Sequence, residues 1–100
     1  MPSLDLDKLS DFVEEWWDKS ALPSLCEFVE IPALSPSFDS DWEANGYLDA
    51  AVNTFVAWTR SLPLKGLSVS VHRLKNRSPL LLVKIDGDEE GEVLFYSHLD

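Results

Sequence analysis

Val93-Leu94-Phe95-Tyr96-Ser97-His98-Leu99-Asp100 is the stretch whose reading organises the rest of the chain. Four successive apolar residues, Val93 to Tyr96, predict an interior β-strand covered on both faces. A histidine and a carboxylate follow at its carboxyl end, where open α/β sheets usually hold ligands. If the backbone stays extended, the two-residue side-chain period places His98 and Asp100 on one face. An imidazole beside an acid that fixes its tautomer is a natural metal-binding arrangement. H-x-D is a short pattern, however, and the bland alternative is a histidine and an acid at an ordinary strand end.

Upstream of this stretch the hydrophobic period is two. Leu67, Val69 and Val71 alternate with Ser68, Ser70 and His72, which predicts a half-exposed strand with His72 turned to solvent. Lys75-Asn76-Arg77-Ser78-Pro79 turns the chain into Leu80–Ile85, expected as a second and more fully buried strand. Asp86-Gly87-Asp88-Glu89-Glu90-Gly91 lacks the spacing and closing Glu of a calcium loop and reads as a polar turn.

Before Leu64 the period is that of helices. Leu9, Phe12, Val13, Trp16 and Trp17 form one apolar stripe, capped by Ser3, Asp5 or Asp7. A second helix is expected to begin between Ser20 and Ser24, with Pro23 in its first turn and Pro32 ending it. Its stripe is Leu22, Leu25, Cys26 and Val29, so Cys26 is expected as a small core residue. A proline- and serine-rich loop covers residues 32–39. Asp39, Ser40 or Asp41 then caps a long helix whose inward stripe is Leu48, Ala51, Val52, Phe55, Thr59 and Leu62. Gly46 weakens its first turns and moves the expected start past that glycine, and Pro63 and Gly66 end it. The expected order is three helices followed by three strands, an α/β arrangement.

Composition narrows the function classes. The chain has 100 residues, 45% of them hydrophobic and 11% aromatic, too apolar for a disordered segment. Four Trp and five Phe are generous for this length and suggest a core that further chain would cover. Eight Lys and Arg against eighteen acids give a net charge of −10, which argues against binding nucleic acid through its phosphates. No apolar run approaches a membrane span. The acidic start, Met1 to Asp7, does not have the form of a secretory signal. A single cysteine precludes an internal disulfide and fits a reducing compartment, so a cytoplasmic location is expected. No phosphate-cradling glycine loop, nucleophile elbow or cysteine pair is present.

Taken in order, several stretches resemble the N-terminal segment of a zinc metallopeptidase family. That family includes carnosinase and cytosolic nonspecific dipeptidase, with acetylornithine deacetylase and succinyl-diaminopimelate desuccinylase as relatives. The resemblance is carried by Glu27-Phe28-Val29-Glu30-Ile31-Pro32, Ser35-Pro36-Ser37-Phe38-Asp39, Trp42 and Gly46. It continues through Ala50-Ala51, Trp58, Leu64-Lys65-Gly66-Leu67 and Asn76-Arg77-Ser78-Pro79-Leu80-Leu81, and closes on Val93 to Asp100. It runs from about Leu9 to Asp100, and the S-P-x-F-D and L-K-G-L stretches look most like the dipeptidase branch. It implies a mixed sheet flanked by helices, here the N-terminal segment of the catalytic domain (residues 1–100), with the rest of that domain and the lid or dimerisation domain outside this sequence. By the match, His98 is the ligand of one of two zinc ions, with other divalent ions as alternatives, and Asp100 is the active-site carboxylate that supports it. The family's bridging aspartate, adjacent glutamate pair, further acidic ligand and distal histidine would lie beyond residue 100. Ser97 stands where members commonly have glycine. The implied parent is a hydrolase of amide bonds in dipeptides or N-acyl amino acids, inactive as this segment alone. A homodimer through the absent domain is one form it could take. The alternatives are a non-catalytic acidic interaction domain, in which H-x-D is accidental, and a truncated product without activity.

Overall fold

A computed structural model describes residues 3–100. Met1 and Pro2, part of the start read above as non-secretory, lie outside the described residues. The chain divides into two compact units, Met1–Glu30 and Ile31–Asp100, each treated by itself.

The first unit is helical from Leu6 to Val29. Helix α1 spans Leu6–Trp16 and α2 spans Leu22–Val29. Between them Trp17–Ala21 forms a π-helical turn instead of the break expected from the sequence. Asp5 is the N-cap, its Oδ1 accepting from the Lys8 amide at 3.1 Å. Pro23 sits in the first turn of α2, and because the helical backbone runs on from Trp17–Ala21 its missing N–H interrupts the hydrogen-bond ladder there. The apolar stripe forms as spaced, and Phe12 and Trp16 stack at 5.9 Å between ring centroids. None of its residues is buried, however. Cys26, expected in a core, is an exposed free thiol. A helix stripe is buried only where a second surface packs on it, and the hydrophobic period alone does not supply that surface.

The second unit holds a small core. Ser35 starts its loop, accepting from the amides of Phe38 and Asp39. Helix α3 (Trp42–Asn45) is stopped by Gly46, which adopts φ 69°. Helix α4 (Tyr47–Arg60) then starts afresh, as the glycine predicts. Leu48, Ala51, Val52 and Thr59 on the predicted inward stripe are buried, and Phe55 and Leu62 are half-buried. The Oγ1 of Thr59 has no hydrogen-bond partner among the described residues.

Strands β1 (Leu67–His72) and β2 (Leu80–Ile85) pair antiparallel. The register sets Leu67 opposite Ile85, Val69 opposite Val83 and Val71 opposite Leu81, so one face of the ribbon is wholly apolar. Strand β1 packs against α4 and alternates half-buried with exposed positions, as its period of two predicts. Strand β2 departs from expectation. Only Leu81 is half-buried; Leu80, Leu82, Val83 and Ile85 are exposed, and among the described residues β2 has β1 on one side and no strand on the other. Gly66 closes the ribbon at φ +78°, its carbonyl accepting from the Asp86 amide at 3.1 Å. A Cβ there would lie 3.1 Å from the Asp86 oxygen, so glycine fits both the turn and the close approach.

The third expected strand does not form. Residues 91–100 join no ladder, and Val93, Leu94, Phe95 and Tyr96 are 81–89% exposed. An interior strand needs a hydrogen-bonding neighbour and a cover on each face, and neither reaches this run among the described residues. The fold therefore mixes helix with a two-stranded antiparallel sheet, in place of a three-strand segment.

Candidate functional site

The alternation that a strand would impose survives locally at the chain's end. Tyr96, His98 and Asp100 are two residues apart, and their side chains meet. The His98 Nδ1 lies 3.2 Å from Asp100 Oδ1, and its Nε2 lies 2.9 Å from the Tyr96 hydroxyl. An ionised carboxylate only accepts, so these partners assign the ring proton to Nδ1 and leave Nε2 to accept from the phenol. The Tyr96 and His98 rings also meet edge to face, 5.2 Å apart.

Both predicted site residues are thus brought together, with Asp100 on the nitrogen where a supporting carboxylate belongs. The apolar run of residues 93–96 marks Tyr96 as part of a buried strand, not as a site residue. The same two-residue period that pairs His98 with Asp100 also pairs it with Tyr96, so the signal was present in the sequence. The hydroxyl occupies the nitrogen a cation would use, and ligation would require it to move aside.

The donor set can be weighed against a zinc centre. One imidazole with an orienting acid fits a single first ligand. Among the described residues no cluster of three or more His, Cys, Asp or Glu could hold a metal ion. His98 is exposed, its side chain retaining 66% accessibility, so the imidazole is open to solvent rather than packed in an apolar interior. His72 is exposed as predicted, with its Nε2 3.0 Å from Ser70 Oγ, and it belongs to no metal-holding cluster among the described residues. The Asp86–Gly91 turn is exposed, with Asp86 in an ion pair to Lys84 at 3.4 Å.

Among the described residues no helix is long and apolar enough to cross a membrane. No family model matches the chain, and no curated protein matches it.

Proposed function

We propose that the chain is the N-terminal part of the catalytic domain of a cytoplasmic zinc-dependent hydrolase that cleaves amide bonds of dipeptides or N-acyl amino acids. The single observation that supports this reading most is the hydrogen bond from His98 Nδ1 to Asp100, which directs ligation to Nε2 once the Tyr96 hydroxyl moves aside. Zinc, when bound by a full set of ligands, acidifies a water molecule and polarises the carbonyl to be attacked. The residues here have narrower tasks. His98 would hold one ion through Nε2. Asp100 keeps the proton on Nδ1, and so keeps the ligating nitrogen unprotonated and correctly aimed. A catalytic zinc generally takes three protein ligands, and one is available here, so the segment alone is inactive under this proposal.

Two measurements test it. The coding sequence downstream of Asp100 should encode an aspartate soon after, and then an adjacent Glu-Glu pair. Their absence overturns the hydrolase reading in favour of an acidic interaction domain. Metal analysis of the purified 100-residue chain should find no stoichiometric zinc, and tight binding of one zinc per chain would contradict the division of ligands proposed.

A further inference from the structure

The second unit contains a cleft that the metal proposal does not use. It lies where the first turns of α3 and α4 face the β1–β2 connection, and its volume is about 360 Å³. That is within the range of roughly 300–1,000 Å³ in which small-molecule pockets fall. Half-buried Trp42 and buried Leu48 supply apolar surface. The connecting segment supplies charge: Arg73, Lys75 and Arg77 are three of the chain's eight cations, within five residues.

The three cations are not equivalent. Arg73 forms an ion pair with Asp49 of α4 beside the cleft, so its charge is already partnered. Neither Lys75 nor Arg77 has an ion-pair partner among the described residues. Both are held by a turn in which the Arg77 amide donates to the Leu74 carbonyl at 3.1 Å. Asn76 occupies that turn at φ 62°, a left-handed conformation that asparagine tolerates better than most residues. Opposing them is one further acid, Glu43. A chain of net charge −10 therefore has a locally cationic cleft with an indole in its wall.

An indole offers a flat apolar surface and a guanidinium offers paired donors to an oxyanion. We infer that this cleft binds a small organic anion, an aromatic body bearing one phosphate or carboxylate, with its ring against Trp42 and its oxyanion held by Lys75 and Arg77. The inference is independent of the hydrolase reading and uses neither His98 nor Asp100.

The test is an amide and indole NMR titration of the 100-residue chain with phenyl phosphate, phenylacetate, inorganic phosphate and neutral benzyl alcohol. The indole signal of Trp42, identified by its loss in Trp42→Phe, should shift together with the amides of residues 73–77. One dissociation constant, on the order of 1 mM for an exposed site of this kind, should describe them all. Inorganic phosphate, lacking the ring, should bind about tenfold more weakly. The double variant Lys75→Ala, Arg77→Ala should lose about tenfold or more. Both positions are exposed turn residues, so the fold should persist. Asp49→Asn, which frees Arg73, and Glu43→Gln should each tighten binding by about twofold or more. Tighter binding of phenyl phosphate than phenylacetate identifies a phosphomonoester as the preferred class, and the reverse order identifies a carboxylate. No saturable shift at these positions, equal binding of benzyl alcohol, or binding unchanged in the double variant would overturn the inference.

Discussion

The β1–β2 ribbon and the Val93–Tyr96 run are similarly apolar and differ in what surrounds them. Strand β1 has a ladder partner in β2 and helix α4 against it, and its inward residues are half-buried. Val93–Tyr96 has neither and stays more than four-fifths exposed. Hydrophobic content states how much cover a segment calls for. Period states whether that cover must come from one side or from both. A two-residue alternation is satisfied by one packed face, which α4 provides. A continuous run needs two faces and a neighbour at its edge, and none of these reaches residues 93–96 among the described residues.

The contrast can be broken most severely in the core. Leu48→Ala should destabilise the second unit by about 2–4 kcal/mol, because Leu48 is a buried member of that unit's small core. Leu94→Ala, the same truncation at a residue 88% exposed, should change stability by no more than about 0.5 kcal/mol. Chemical denaturation of the two variants measures the difference directly, and equal losses would show that Val93–Tyr96 is packed after all. Gly66→Ala attacks the ribbon's closing end and should cost about 1–2 kcal/mol, since alanine meets both the left-handed backbone and the Asp86 oxygen. The accompanying signature is faster hydrogen exchange at the Asp86 amide.

Thr59→Val sharpens the comparison in the other direction. Its hydroxyl is buried without a partner among the described residues, so replacing it by a methyl should stabilise the unit by about 1 kcal/mol, read as a higher denaturation midpoint. The smallest effect belongs to the exposed face of the first helical unit. There Lys19 Nζ hydrogen-bonds Glu15 Oε1 at 2.5 Å. That bond, reinforced by the ammonium's charge, lowers the Glu15 carboxyl from its ordinary value and raises the Lys19 ammonium. The depressed acid contributes above its ordinary titration range and loses the contribution as pH falls through its lowered value. The raised base contributes below its ordinary range and loses it as pH climbs through its raised value. The pair therefore acts across the interval between, and Lys19→Met should return the Glu15 midpoint upward in a carbon-detected NMR titration.

Much of the second unit was legible in the residues. The stripe from Leu48 to Thr59, the restart after Gly46 and the register-defining alternation of Leu67, Val69 and Val71 are local patterns, and each formed as spaced. What did not follow from local pattern was burial that depends on a distant surface. The Phe12–Trp16 stripe, Cys26, β2 and Val93–Tyr96 all carry apolar side chains that no local rule can cover. The site was legible in the same partial way. His98 and Asp100 share a face because side chains alternate, and Tyr96 joins them for the same reason. The cationic cleft was harder to see. Two of its charges, Lys75 and Arg77, fall in a segment whose spacing marks a turn, and Trp42 reaches them through the fold, not through spacing in the chain.

The bare run at residues 93–97 also governs how the polypeptide behaves in company. Five uncharged residues rich in β-forming side chains, without proline, are the makings of intermolecular cross-strand stacking. Glu92 and Asp100 bracket them as charged gatekeepers that discourage such stacking at its ends. Solubility should therefore fall steeply if either bracket is neutralised, and dilute solutions should keep their clarity longer than concentrated ones.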